Sequence, residues 1–194
     1  LAGGTGPARR RLTRVSPAVW KTSARTDFSV WPARGDRTGD RALLRRALAV
    51  WARPGKSVRV SATPGTPAGG PAGPPQLLYA GTVDTARVVI LYDGLRVVRY
   101  AEPEDGTGGA ALDFARADGA GRAGSGAVVL SRADGNVRYL TAPWVRGAGE
   151  RDLREPGSGA MALTLVDGVT SPLASPALRE GPCTSWNVLR LTDG

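Results

Sequence analysis

The sequence predicts a mostly β fold of the α+β class, in which one amphipathic helix packs on an antiparallel, hairpin-rich sheet. After residue 76 the chain is a succession of short apolar runs rich in β-branched residues, and three of these runs lead into an Asp-Gly pair. Before residue 76, one segment has apolar residues at the spacing of a helical face. A roll, a sandwich or a partly open barrel would each accommodate these elements.

The length and the distribution of charge divide the chain into two parts. A chain of 194 residues can form one domain whose core needs neither disulfides nor metals. Residues 1–17 hold few apolar residues and include the cluster Arg9-Arg10-Arg11-Leu12-Thr13-Arg14, which is typical of a flexible basic arm. We therefore expect a basic arm over residues 1–17 and a single β-rich domain over residues 18–194.

The helix is predicted over residues 41–51. Asp40 is a suitable N-cap, and Pro54-Gly55 ends the pattern. The residues that share one helical face, and that we expect to pack on the core, are Leu44, Ala47, Leu48 and Trp51.

Three further segments precede the hairpins. Phe28-Ser29-Val30 is predicted to be a short strand, and residues 57–61 alternate apolar and polar side chains like a second strand. Residues 63–75 contain five prolines and four glycines. We expect this segment to be a loop or linker in which nothing packs.

The β-rich part is organised around Asp-Gly turns. Asp93-Gly94 separates two apolar runs by the two residues of a type I′ hairpin, whose central residues both take positive φ. The same arrangement recurs at Asp134-Gly135 and Asp167-Gly168. The predicted strands cover residues 77–83, 86–92, 95–101, 110–114, 127–132, 136–142, 161–166, 169–173 and 185–191.

The composition excludes several chemistries. The chain has no histidine, so histidine-dependent triads, histidine general bases and histidine metal ligands are impossible. Its one cysteine, Cys183, permits neither an intrachain disulfide nor a multi-cysteine zinc site, and is expected to be a small buried hydrophobic residue. We predict no catalytic residue, no cofactor and no metal site, while chemistry based on Asp, Glu or Ser stays open.

Three short motifs are interpreted as loops. Residues 119–124 have the letters of G-x-G-x-x-G, but no helix follows them as dinucleotide binding requires. Glu102, Glu104 and Asp105 form an acidic patch without the spacing of a calcium loop. Arg34-Gly35-Asp36 spells an adhesion tripeptide, and we expect it to be a turn that leads into the helix.

Two groups of residues are candidates for partner contact. Residues 1–60 carry 14 Lys and Arg against 3 Asp, whereas residues 61–194 carry 12 Arg against 14 Asp and Glu. Arg9, Arg10 and Arg11 are therefore candidates for contact with an anionic polymer. Trp144, which follows a predicted strand beside a loop, is the candidate for an exposed contact together with Arg146.

The sequence also resembles a known type of protein. Phe28-Ser29-Val30-Trp31-Pro32-Ala33-Arg34-Gly35-Asp36, then the predicted helix, then Leu77-Leu78-Tyr79-Ala80-Gly81-Thr82-Val83-Asp84 resemble C-terminal extracytoplasmic domains of uncharacterised membrane-anchored proteins from high-GC Gram-positive (actinobacterial) bacteria. The continuation Arg87-Val88-Val89-Ile90-Leu91-Tyr92-Asp93-Gly94 is similar to theirs, so the resemblance covers roughly residues 27–100. It implies a location in the cell envelope and a missing N-terminal anchor, and it supplies no activity.

The function favoured by these observations is binding. We expect a non-enzymatic extracytoplasmic domain of a membrane-anchored protein that binds a protein partner or a cell-wall component. One alternative is a basic-arm module that binds an anionic polymer, with nucleic acid as a less favoured form of it; a second is a hydrolase that uses Asp, Glu or Ser. A cytoplasmic location is the alternative to the envelope, and the oligomeric state is not predicted.

Overall fold

The computed structural model describes residues 11–155, 157–175 and 187–194, which form a mostly β fold with two short-to-medium α-helices. The helices are α1 (Val19–Thr22) and α2 (Arg41–Ala52), with a 3-10 turn at Phe28–Val30. The strands are β1 (Arg59–Ala62), β2 (Gln76–Val83), β3 (Ala86–Tyr92), β4 (Arg96–Pro103), β5 (Ala111–Arg116), β6 (Ala127–Ala133), β7 (Asn136–Thr141), β8 (Val145–Arg151), β9 (Met161–Leu163), β10 (Leu165–Val166), β11 (Val169–Thr170), β12 (Leu173–Ala174) and β13 (Val188–Asp193). The predicted fold class is confirmed.

The largest sheet, which we call the first sheet, has the strand order β1-β5-β4-β3-β2. Its hairpin-connected strands are antiparallel, as predicted. The edge strand β1 departs from this pattern because it pairs parallel to β5, with Arg59 opposite Ala111. The first sheet is therefore antiparallel apart from this one edge pair.

Two smaller sheets complete the β structure. The second sheet has the order β10-β11-β7-β12, with β6 paired to β7 as well. The third sheet has the order β13-β8-β9. Within the residues described, the sheets remain separate and do not close into a barrel.

One face of the first sheet, the helix side, is covered by α2. The helix begins as predicted, because the Asp40 carboxylate accepts a hydrogen bond from the Leu43 amide (2.9 Å). Leu44, Ala47 and Trp51 are buried against the sheet as expected, whereas Leu48 is half-buried at the edge of the contact. Apolar burial on one helical face thus fixes α2 to the sheet.

The opposite face of the first sheet, the sandwich side, packs against the second and third sheets. In β3, Val89 and Leu91 belong to the core under α2, while Val88 and Ile90 belong to the core shared with the other sheets. Alternate side chains enter opposite cores, so both faces are apolar. This double burial explains why β3 is a continuous apolar run in the sequence.

The predicted hairpins are present at all three Asp-Gly pairs, and two of the three turns have the predicted backbone. Asp134-Gly135 and Asp167-Gly168 take positive φ at both residues and connect paired strands directly. At the third pair, Asp93 is not among the positive-φ residues, and Tyr92 pairs with Val97, so the type I′ prediction is wrong there. An unpredicted turn of the same kind joins β2 to β3 at Asp84-Thr85, with φ of 47° and 64°.

The Pro- and Gly-rich segment 63–75 has no helix or strand, as predicted, but it is packed. Pro71 and Pro75 are buried, and the carbonyl oxygens of Pro67, Gly69 and Gly70 accept hydrogen bonds from the Arg96 guanidinium at 2.6, 3.0 and 2.8 Å. The expectation that nothing in this loop packs is wrong, because the polar atoms that anchor it are backbone carbonyls.

Two short segments also differ from the sequence-based predictions. Phe28–Val30 is a 3-10 turn and not a strand, since the Asp27 carboxylate accepts a hydrogen bond from the Ser29 amide (2.8 Å) and caps the turn. Strand β8 was not predicted, because its Gly147 and Gly149 give the segment low β-propensity.

The two ends of the chain are described only in part. Thr13, inside the predicted arm, pairs with the start of β2: its amide donates to the Pro75 carbonyl (2.8 Å) and its carbonyl accepts from Leu77 (2.9 Å). The predicted final strand is present as β13, while Cys183 and Trp186 lie outside the described residues. In the described ranges, none of the helices has the length and apolar character needed to cross a bilayer.

Candidate functional site

Trp144 is buried, so the expectation that it is exposed is wrong. Only 3% of it is accessible, and its ring meets the Trp31 ring edge-on, with 6.4 Å between centroids. The Arg122 guanidinium lies over the Trp144 ring, with its Cζ 5.4 Å from the ring centroid. Trp144 therefore belongs to the core between the sheets.

The predicted basic contacts have different environments. Arg146 is exposed and lies over the Trp20 ring at 5.8 Å. Arg11 is exposed as well, whereas Arg9 and Arg10 lie outside the described residues. The structure therefore does not bring Trp144 and the arm arginines together in one described site.

In the acidic patch at residues 102–105, Glu102 is paired with arginines of the fold. Glu102 accepts two hydrogen bonds from Arg46 (2.6 and 3.1 Å) and one from the Tyr100 hydroxyl (2.5 Å). Burial alone would raise the pKa of Glu102, but the hydrogen bonds from Arg46 and Tyr100 outweigh it and the pKa is lowered. No group of three or more potential metal ligands occurs among the residues that the structure describes.

The tripeptide Arg34-Gly35-Asp36 forms the predicted turn before α2, and it also joins the first sheet to the second. The Arg34 backbone pairs with β2, donating to Leu78 (3.1 Å) and accepting from Ala80 (3.0 Å). Its guanidinium donates to the Thr141 carbonyl of β7 and lies 5.4 Å over the Trp31 ring. Burial lowers the pKa of Arg34 to about 10, against the opposing effect of Asp167.

Glycine is required at position 35. Gly35 has φ of +101°, and a Cβ there would overlap the Ala80 carbonyl. The Gly35 amide donates to the Asp167 carboxylate (2.7 Å), which belongs to the turn between β10 and β11. The close approach at Gly35 therefore places the edge of the first sheet beside a hairpin of the second.

A cleft of about 650 Å³, which we call the main cleft, opens at this junction. It lies between the end of β2 and the hairpin of β10 and β11. The polar side chains that line it are Asp36, Tyr79, Thr82, Asp84, Arg138, Thr164, Asp167, Thr170 and Ser171. The main cleft is therefore rich in hydroxyl groups and carboxylates.

Backbone and arginine donors hold the three carboxylates of the main cleft in place. Asp36 accepts from the Thr82 amide (3.1 Å), Asp167 from the Gly35 amide, and Asp84 from the Arg138 guanidinium (3.0 Å). Three carboxylates thus face the cleft with one lining guanidinium. Carboxylates outnumber guanidinium groups in the lining, although Asp36 also pairs with Arg37 (3.9 Å) and Asp167 interacts with the buried Arg34.

Tyr79 is the tyrosine that lines the main cleft, and the pKa of its hydroxyl is raised. Burial raises its pKa to about 12, and the negative charges of Asp36 and Asp167 add to this effect. Its hydroxyl lies close to Gly81, where a Cβ would overlap it, and has no hydrogen-bond partner within the described part of the chain. The buried Thr82 Oγ1 has none there either. Two hydroxyl groups at the main cleft therefore lack a hydrogen-bond partner among the described residues, and that of Thr82 is buried below the surface of the cleft.

A second cleft of about 540 Å³, the side cleft, lies on the other side of Asp167. Trp20, Arg146 and three prolines line it, at positions 17, 32 and 143. Asp167 lines both clefts, so a ligand that passes over the β10–β11 turn would contact both.

The described carboxylates do not resemble a general acid. Those with a shifted pKa are shifted downward: Asp27, Asp40, Asp93, Glu102, Asp105, Asp118 and Asp152. A carboxyl group that donates a proton near neutral pH needs the opposite shift. Among the described carboxylates with a resolved shift, none therefore has the raised pKa expected of a general acid.

The chain matches no protein-family model, no curated protein and no solved structure. The arrangement of the site is therefore interpreted from its own geometry.

Sequence reasoning did not identify the main cleft. Tyr79, Asp36 and Asp167 are far apart in the chain, and the contact between Gly35 and Asp167 spans 132 residues. Two signals were available: glycine in the turn before α2, and an Asp-Gly hairpin whose aspartate could accept a hydrogen bond. Neither signal tells which two segments meet.

Proposed function

We propose that this chain is a binding domain of the cell envelope and that its main cleft holds a cell-wall component bearing amino and hydroxyl groups. The observation that carries the proposal is the lining of the main cleft. Its carboxylates are held at fixed positions by hydrogen bonds, while the Tyr79 and Thr82 hydroxyls are left without partners among the described residues. Preorganised polar groups of this kind give a concave site its specificity.

The chemistry of the cleft supports an amino-bearing ligand. An ammonium group would be attracted by Asp36 and Asp167, while the hydroxyl and amide groups of a wall fragment would hydrogen-bond to Tyr79 and the other hydroxyl groups that line the cleft. The resemblance of residues 27–100 to extracytoplasmic domains supports the envelope as the location. A non-enzymatic role is part of the same proposal.

Calorimetric titration with soluble peptidoglycan fragments that carry a free amino group tests this proposal. We expect Asp167→Asn to weaken binding about 10-fold, because the amide keeps the acceptor for Gly35 and removes the charge. Tyr79→Phe should weaken it about 5-fold through loss of one hydrogen bond.

Two controls keep the test specific. Tyr139→Phe alters a half-buried tyrosine of β7 that does not line the main cleft, and Asp152→Asn alters an exposed carboxylate paired with Arg154. Both should bind like the unaltered chain. Absence of binding, or equal loss in the controls and the cleft variants, would contradict the proposal. Acetylated fragments should bind more weakly than free amines.

A protein partner is a second candidate, favoured by exposed apolar side chains, one of which lines the main cleft. Leu153, Met161 and Val166 are 67%, 62% and 70% exposed, and Val166 also lines the main cleft. A partner that covers these residues would be lost on Val166→Asp. Crosslinking in intact cells, with and without this substitution, distinguishes a protein partner from a wall fragment.

A further inference from the structure

The exposed face of α2 and its two ends form a strip of positive charge separate from the clefts. Arg41 and Arg45 lie one helical turn apart on this face and are exposed, and Ala42, Ala49 and Ala52 complete it with short side chains. We call Arg41, Arg45 and the cations at the ends of the helix the arginine strip.

The ends of α2 extend the arginine strip. At the N-terminal end, the Arg14 guanidinium donates to the Thr38 carbonyl (2.7 Å), which brings this residue of the arm to the start of the helix. At the C-terminal end, Arg53 and Lys56 follow directly and are exposed, and Arg59 begins β1. A helix of 12 residues spans about 18 Å, so the cations are distributed over at least that length.

The arginine strip lacks counter-charges of its own. Among the described residues, Arg14, Arg41, Arg45, Arg53, Lys56 and Arg59 form no salt bridge. The nearest carboxylate in sequence, Asp40, is engaged in capping the helix through the Leu43 amide. In contrast, Arg87, Arg99, Arg116 and Arg138 of the hairpins are each paired with a carboxylate.

We propose that the arginine strip binds a linear phosphate polymer. Exposed cations at intervals along a flat face match a chain of repeated phosphates, because each arginine can contact a different phosphate. A single phosphate would gain little from such a distribution, since no buried cationic pocket is present in the strip.

Two other polyanionic partners fit the strip less well. A membrane surface would require several large apolar side chains beside the cations, whereas the uncharged exposed positions of α2 are alanines and the one such side chain exposed nearby in sequence is Val60. Single-stranded nucleic acid would gain from exposed aromatic rings, and the one aromatic residue of α2, Trp51, is 1% accessible. A base-free phosphate polymer uses only the charges that the strip provides.

The proposal is tested by measuring how inorganic polyphosphate binds to the full chain. Fluorescence anisotropy is recorded from 50 to 300 mM NaCl, roughly the range in which contacts with phosphate weaken. We expect the double variant Arg41→Gln with Arg45→Gln to bind about 10-fold more weakly. The slope of log affinity against log salt should fall by about 1.4, which corresponds to two lost phosphate contacts.

The matched control is Arg116→Gln with Arg154→Gln, which removes the same charge from two exposed, paired arginines. It should change affinity and slope much less than the strip variant. A third variant, Arg9→Gln with Arg10→Gln and Arg11→Gln, tests the arm.

Four outcomes would overturn the proposal: no binding of polyphosphate, equal losses in the strip and control variants, loss in the arm variant alone, or stronger binding of oligothymidylate or anionic lipid vesicles than of polyphosphate at equal charge. Because the variants leave the main cleft unaltered, failure here is independent of failure to bind wall fragments.

Discussion

The two faces of the first sheet are covered in different ways. On the helix side, α2 closes the core and the loop 63–75 is fastened over the end of the helix by Arg96, Asp93 and Trp51. On the sandwich side, short strands of the smaller sheets leave the main cleft at their junction with β2 and the side cleft beside the turn at Asp167. The comparison indicates that the helix side is closed by packing and hydrogen bonds, while the sandwich side leaves two clefts open.

The largest loss of stability is expected on the helix side, when Asp93 is replaced. Its carboxylate pairs with Arg96 (2.7 Å) and accepts the Ala72 amide (3.1 Å), and both side chains are almost fully buried. Asp93→Asn should lower the free energy of unfolding by about 3–5 kcal/mol, because a buried guanidinium loses its counter-charge. Urea unfolding at pH 7 measures this. Asp152→Asn, at an exposed pair, should produce no resolvable change.

The same residue predicts a dependence on acid. Burial would raise the Asp93 pKa, but hydrogen bonds from Ala72 and Arg96 outweigh it, so the folded pKa lies below the ordinary value. The unfolded chain then binds more protons as pH falls below about 4, and stability decreases in that range. The urea concentration at the midpoint of unfolding, measured between pH 3 and 7, should fall less steeply with decreasing pH in Asp93→Asn than in the unaltered chain. Equal slopes in the two chains would contradict the pairing of Asp93 with Arg96.

A smaller loss of stability is expected on the sandwich side, when Arg34 is replaced. Arg34→Met removes the donor to the Thr141 carbonyl and the contact with Trp31, and should cost about 2–3 kcal/mol. Hydrogen exchange should increase in β7 and β11 and remain unchanged in α2. Arg146→Met, whose exposed guanidinium covers Trp20, is the control, with an expected cost below about 1 kcal/mol. Faster exchange in α2 would contradict the division between the two sides.

The division between the sides also explains what the sequence could predict. α2 and the hairpin strands of the first sheet follow from local patterns: apolar spacing, the Asp40 cap, and β-branched runs between turns. The anchoring of loop 63–75 does not follow from a local pattern. Arg96 reaches carbonyl groups 26 to 29 residues away, and carbonyl groups are common to all residues. A loop composition indicates the lack of regular structure, not the lack of contacts.

The candidate site was less predictable than the fold for a related reason. The sequence predicts an exposed Trp144 because the residue follows a strand and adjoins a loop; instead strand β8 begins at the next residue, and Trp144 packs edge-on against Trp31. The main cleft combines residues from β2, the turn before α2 and the β10–β11 hairpin. These segments meet through tertiary packing, which sequence periodicity does not encode.

The smallest predicted effect is spectroscopic and concerns Tyr79. With a pKa of about 12, roughly a tenth of Tyr79 is ionised at pH 11, against about nine-tenths for a free tyrosine. The absorbance difference between the unaltered chain and Tyr79→Phe reports this ionisation. Asp36→Asn should lower the pKa, because it removes a nearby negative charge. An unchanged titration in Asp36→Asn would contradict the electrostatic description of the cleft.

The central claim, that the main cleft is the binding site, is tested most directly by nuclear magnetic resonance. The amide resonances of the full chain are followed during titration with soluble, amino-bearing peptidoglycan fragments. We predict shifts concentrated at Gly35, Thr82 and Asp167, which lie around the cleft. An absence of shifts at saturating fragment, or shifts confined to α2 and the arginine strip, would contradict the claim.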